Sequence, residues 1–198
     1  MNEPSRIPAW RERYRVRLGA ALGILFIWRV QPRHLILLAA GIAVGFLGIL
    51  LRQWAAGCLK KNDELATSGP YALVRNPLYL GSFLAAIGLA AAGSSFSLSL
   101  RLPYLDRTLF FWCAILLMLE SVYLPKIRKE EEDLRAKFGK SFEAYSRSVP
   151  ALIPGRLAAP RFDFSTFSLE QWKKNREVWS LAGYLLVCLV LVSRYHFR

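Results

Sequence analysis

Two stretches of the chain hold residues whose types and spacing could do chemistry. The first is Ser68-Gly69-Pro70-Tyr71, followed by Val74-Arg75-Asn76-Pro77-Leu78-Tyr79. Ser68-Gly69-Pro70 is a turn signal, and Pro77 suits the first turn of a helix, where its missing N–H costs nothing. Two tyrosines and an arginine therefore gather at a helix N-terminus, whose unpaired N–H groups attract carboxylates. The second stretch runs from Ile127 to Leu134 and carries Glu130, Glu131, Glu132 and Asp133 in succession. Carboxylates clustered there attract a cation: an amine, a sulfonium or the chain's own arginines. Each stretch also has a plain structural reading. The acids can be a solvated helix face paired with Lys126, Arg128, Lys129 and Lys137, and Arg75 with its tyrosines can anchor a membrane interface.

The elements that must position these groups follow from composition. The chain has 198 residues, 27 basic and 14 acidic, for a net charge of +13 and a pI near 10.1. Yet 54% of it is apolar and its mean hydropathy is +0.27. A basic disordered tail is excluded by that hydrophobicity. Residues 35–51, 78–100 and 108–124 are long apolar runs, the last broken only by Glu120. A bilayer core takes about 20 helical residues. Residues 178–192 span if Trp179 and Tyr195 sit in the two interfaces. Residues 18–28 either span, with flanking arginines snorkelling, or lie in the interface. The expectation is an all-α, polytopic membrane protein with about five transmembrane helices and a catalytic region on the cytoplasmic side. A soluble helical bundle would leave too little polar surface, and a secretory signal peptide fits poorly because the first apolar run starts late, after several arginines.

Basic residues favour one face. With five spans, Arg6 to Arg17, Arg52, Lys60, Lys61, Arg75 and the many from Lys126 to Arg176 share a side, which the positive-inside rule makes cytoplasmic. Anionic membrane lipids are the partners this charge implies; no nucleic-acid recognition motif accompanies it. Cys58, Cys113 and Cys188 are far apart, and His34 and His196 are the only histidines. No zinc spacing or structural disulfide is expected. Glu120 reads either as a functional intramembrane acid or as a side chain snorkelling near the cytoplasmic end.

The chain divides into residues 1–51, an amphipathic segment with a helical pair; residues 52–154, the candidate catalytic region with two transmembrane helices; and residues 155–198, a basic, Phe-bearing connection to a last apolar helix. Pro125 is expected to kink the helix it enters. Beyond it, residues 127–138 read as a surface-lying amphipathic helix capped by Gly139.

In order along the chain come GPYALVRNPLYLG, then Ile127 with Glu130-Glu131 and Leu134, Phe138-Gly139, Tyr145 and Val149-Pro150-Ala151-Leu152-Ile153-Pro154. This series, with Arg52-Gln53-Trp54-Ala55 upstream, resembles the isoprenylcysteine carboxyl methyltransferases and the related phospholipid methyltransferases. The resemblance covers roughly residues 50–154. It implies an integral membrane enzyme that uses S-adenosyl-L-methionine without a Rossmann fold; no GxGxxG follows a predicted strand here. By the resemblance, Asp63, Glu64, Leu65, Ala66, Tyr71, Asn76, Pro77, Leu78 and Tyr79 line the cofactor pocket. Glu130 binds the cofactor's charged methionine end, Arg75 braces the carboxylates or the pocket, and Lys126 or Arg128 contacts the acceptor. Glu131 is the candidate base should the acceptor be an amine. The acceptor is a lipid or lipidated molecule bearing a carboxylate, thiol or amine.

Three features depart from the family pattern. Asn76 stands where the family usually has His, so it hydrogen-bonds but does not titrate near neutrality. The chain continues past residue 154, where the family often ends, and residues 1–50 match nothing specific. Two other function classes compete: an NADPH-dependent, sterol-reductase-like membrane enzyme and a non-enzymatic membrane protein that binds anionic lipid.

Overall fold

A computed structural model describes residues 9–60, 64–94, 102–155 and 164–197, and no strand occurs among them. Helix α1 (Ala9–Arg29) is followed by α2 (Leu35–Cys58) and a short 3-10 turn (Gly69–Ala72). Then come α3 (Pro77–Gly93), α4 (Leu102–Met118), a π turn (Leu119–Tyr123) and α5 (Leu124–Phe138). Helices α6 (Lys140–Ser148), α7 (Leu169–Lys174) and α8 (Val178–His196) complete the chain.

Three helical stretches are long and apolar enough to cross a membrane: Leu35–Cys58, Leu109–Phe138 and Val178–His196. About five were expected from the sequence. Helix α3 is apolar but ends at Gly93 after 17 residues, about 25 Å of rise against a hydrocarbon core of about 30 Å. The remainder of the 78–100 run lies outside the described residues. Helix α1 is 21 residues long, but its N-terminal half carries Arg11, Glu12, Arg13, Arg15 and Arg17.

Small residues bring α2 and α3 into close contact. Gly41, Gly45 and Gly48 face Gly81, Gly88 and Ala92, so backbone meets backbone. A Cβ on Gly48 would sit 2.5 Å from the Gly81 carbonyl oxygen, and one on Gly81 would sit 2.5 Å from that of Gly48. In lipid, where apolar side chains gain nothing by leaving their solvent, such close van der Waals packing is what holds helices together. Helix α8 closes the other side of α2: Tyr184 is buried with Ile49 and Ala85 and donates its hydroxyl to the Ile42 carbonyl. At one end of the bundle Leu191 is buried with Val30, Leu38 and Ala92.

The passage from α4 to α5 has a local cause. Pro125 has no N–H to give and its ring crowds the carbonyl four residues back. The strain is taken up by the wider π turn at Leu119–Tyr123 immediately before it. This turn leaves Glu120 exposed, outside the cavity that Tyr79 and Tyr123 line. It also sets Tyr123 edge-on against Tyr79 and Phe83, at 5.9 and 5.3 Å between ring centroids.

Candidate active site

The Val74–Pro77 segment is held in place from the far end of the catalytic region. The Arg75 N–H donates to the Pro150 carbonyl at 2.8 Å, and the Asn76 N–H donates to the Ala151 carbonyl at 3.1 Å. Two sequence motifs thus meet, joined by these two backbone hydrogen bonds. Glycine is required at the bend that ends α5: Gly139 has φ +51°, a left-handed conformation that disfavours other residues. That bend turns α6 back so that Phe142 and Tyr145 are buried. Tyr145 then donates its hydroxyl to the Tyr71 carbonyl at 2.7 Å.

Arg75 and Glu131 form the floor. The guanidinium donates Nε to Oε1 and NH2 to Oε2 of Glu131, both at 2.9 Å. Its NH1 donates to the carbonyls of Ser146 at 2.9 Å and Val149 at 2.6 Å. The Asn76 side-chain amide donates to Glu131 Oε1 at 2.9 Å and to the Ala151 carbonyl at 3.1 Å. Asn76 is therefore a framework residue with both amide hydrogens engaged. Glu131 has both oxygens occupied by Arg75 and Asn76, which leaves it poorly placed as a base.

Glu130 points elsewhere. Its Oε1 accepts from the Tyr79 hydroxyl at 2.8 Å, and Lys126 Nζ lies 3.7 Å away. Tyr79, Lys126, Glu130 and Glu131 all line a cavity of about 830 Å³, within the range of small-molecule sites. Glu64, Leu65, Ala66, Tyr71, Asn76, Pro77 and Leu78 line it too, as does Arg75. The structure thus gathers the residues named from the sequence around one space, with two exceptions. Asp63 lies outside the described residues, and Arg128 is exposed and does not line the cavity. Of the two acceptor-contact candidates only Lys126 faces the space, because Arg128 projects from the opposite side of α5.

The Tyr71 hydroxyl is buried and has no hydrogen-bond partner. Burial, reinforced by the nearby Tyr145, pushes its pKa far above the ordinary tyrosine value. Tyr145 is pushed up as well, mainly by burial, with Arg75 pulling partly the other way. Both phenols are therefore neutral donors across the physiological range.

Several cavity residues were not singled out from the sequence. Arg52, quoted only as part of a motif, lines the space together with Ser82 and Tyr123. Arg52 is bound by Glu177, 125 positions away. The available signal was Glu177 as an acid directly after Lys173, Lys174 and Arg176 and immediately before the last apolar run.

Residues 34–131 match the phospholipid methyltransferase family. That match spans just under half of the chain, 98 of its 198 residues. The Schizosaccharomyces pombe protein-S-isoprenylcysteine O-methyltransferase is 35% identical over 48% of this chain and 34% of its own length. Two other relatives reach further along the chain. The nickel-cobalt-cadmium resistance protein NccN of Alcaligenes xylosoxydans xylosoxydans is 29% identical over 96% of this chain and 84% of its own. The cobalt-zinc-cadmium resistance protein CzcN of Cupriavidus metallidurans is 28% identical over 77% and 66% respectively. No solved structure matches. The family match, the isoprenylcysteine methyltransferase relative and the membrane-length helices together support a membrane methyltransferase.

Proposed function

We propose that this protein transfers a methyl group from S-adenosylmethionine to a lipid or lipidated acceptor at the cytoplasmic membrane surface. The observation that carries the reading is the convergence of Tyr71, Tyr79 and Glu130 on one cavity. The residues present fit the cofactor. A buried phenol without a partner is costly unless a ligand satisfies it, and the Tyr71 hydroxyl is such a group. Glu130, fixed by Tyr79, offers a carboxylate to a cationic amino-acid end.

When bound, S-adenosylmethionine supplies an already activated methyl group, so the protein's task is alignment and electrostatics. Glu130 and Tyr71 hold the cofactor, while Arg75, Asn76 and Glu131 keep the loop that carries Tyr71 against α5. Lys126 presents a cation to the acceptor, which favours an acceptor with an anionic group. A carboxylate or thiolate needs no general base, in keeping with a Glu131 already engaged by Arg75.

Two metal-resistance relatives add a second reading: the methylated acceptor belongs to a metal-resistance system. Among the described residues no group of three or more His, Cys, Asp or Glu could hold a metal ion, so this reading makes the protein a methylating component rather than a metal carrier. Growth of a deletion strain in nickel, cobalt and cadmium tests it.

The decisive experiment for the main reading is transfer of labelled methyl to membrane lipid extracts by the purified protein. Glu130→Gln lowers cofactor affinity about tenfold to a hundredfold. Unchanged transfer by Glu130→Gln would overturn the site. Calorimetric binding of NADPH but not of S-adenosylmethionine would overturn the reaction class.

A further inference from the structure

Resting on the methyl-transfer reading, we infer that Glu177, beyond the family-matched span, is a positioning residue that neutralises Arg52 at the cavity wall and so permits a sulfonium to bind there.

Arg52 lines the cavity, and a bare cation in that wall would repel a positively charged cofactor. Its charge is not bare. Nε donates to Glu177 Oε2 at 3.1 Å and NH2 to Oε1 at 2.6 Å. The pair is sequestered, with 22% and 11% of the two side chains exposed. NH1 donates to the Leu78 carbonyl at 3.2 Å and also to the Ser82 hydroxyl. The guanidinium therefore lies across the first turn of α3, the turn from which Tyr79 reaches Glu130.

The C-terminal segment is built to deliver this carboxylate. The Ser168 N–H donates to the Gly57 carbonyl at 2.9 Å. The Asn175 side chain donates to the carbonyls of Ala56 and Leu59. Trp172 Nε1 donates to the Gln53 side chain at 2.6 Å, and Gln53 in turn donates to the Glu177 carbonyl and the Ser180 hydroxyl. Ser180 also donates to Glu177 Oε2 at 2.7 Å. Residues 164–180 thus wrap the end of α2 and set one acid against one cavity arginine.

The test compares binding of S-adenosylmethionine and S-adenosylhomocysteine to the purified full chain by calorimetry. The two ligands differ by one methyl and the sulfonium charge. Glu177→Gln leaves Arg52 uncompensated, and its affinity for S-adenosylmethionine falls roughly fivefold more than for S-adenosylhomocysteine. Glu177→Asp keeps the wild-type ratio, and so does the double variant Arg52→Gln with Glu177→Gln, in which both charges are gone. A ratio of affinities does not depend on the folded fraction, so partial unfolding cannot mimic the result. Equal weakening of both ligands in Glu177→Gln would reduce the segment to a structural wall and overturn the inference alone. Failure of the wild type to bind either ligand would overturn the methyl-transfer reading and this inference with it.

Discussion

Arg75 grips Glu131 through two parallel hydrogen bonds of 2.9 Å, across 56 positions of chain. The pair is largely buried, at 14% and 17% side-chain exposure, and it ties the loop before α3 to α5. Removing one partner strands the other, together with the Asn76 amide that shares Oε1. Glu131→Ala is expected to cost about 3–5 kcal/mol, read as a lowered melting temperature in detergent. Arg75→Lys loses the planar fork and falls between wild type and Glu131→Ala. A Glu131→Ala protein as stable as wild type would show that the floor of the cavity is held by other contacts.

Tyr71→Phe separates binding from stability. The hydroxyl it removes is buried and unpartnered in the protein alone, so its loss leaves the ligand-free fold equally stable or up to about 1 kcal/mol more so. Cofactor affinity falls at the same time, by about tenfold, because a ligand contact disappears. Thermal unfolding and calorimetry on the same preparation check the opposite signs. A parallel loss of both would mean that Tyr71 serves packing only.

The ends of this arrangement were legible to different degrees. The run from Gly69 to Tyr79 and the acids from Glu130 signalled themselves because their residue types are uncommon together, and proline marks fixed where a helix begins. What the acids do individually was not readable: neighbours on a helix point about 100° apart, so Glu130 reaches Tyr79 while Glu131 reaches Arg75. Asn76 read as a cofactor-pocket residue, yet both its amide hydrogens are bonded to Glu131 and Ala151. The pairing of Arg52 with Glu177 was not readable, since their contact is made by the packing of α2 and the segment leading into α8. The helical class was plain from the apolar runs. The span count was less plain: α3 stops at Gly93 after 17 residues, and three stretches among the described residues have membrane length.

Stability should fall at alkaline pH. Burial raises the folded-state pKa of Tyr71 and Tyr145 above the ordinary value of 10.0. Below pH 10 both phenols are protonated whether the chain is folded or not, and their contribution is intact. Above it the unfolded chain releases protons that the folded chain keeps, so unfolding is favoured as pH rises. Melting curves from pH 8 to 11 should show the loss setting in near pH 10, and Tyr145→Phe should flatten it. A melting temperature that does not move across that range would contradict the burial of both groups.

The contact of α2 with α3 predicts intolerance of even one methyl group. Gly48→Ala places a Cβ 2.5 Å from the Gly81 carbonyl oxygen, and because that atom is backbone the helices must separate. The expected cost is about 1–3 kcal/mol, with cofactor affinity reduced because α3 carries Tyr79. Gly183→Ala, on α8 with nothing within 4 Å of the added Cβ, is the matched control and should behave as wild type in the same unfolding assay.

Lys126 and Arg128 divide the last question, which concerns the acceptor. Both are basic residues on the same helix just ahead of Glu130, but Lys126 lines the cavity and Arg128 is exposed outside it. If Lys126 receives an anionic acceptor, Lys126→Ala raises the acceptor KM about tenfold and Arg128→Ala leaves it unchanged. Lys126 also sits 3.7 Å from Glu130, so the cofactor's own binding constant must be measured alongside. An effect confined to cofactor binding would assign Lys126 to Glu130 rather than to the acceptor. Equal effects of the two alanine variants on the acceptor KM would point instead to the attraction of basic residues for an anionic membrane surface, an attraction that fades as salt is raised.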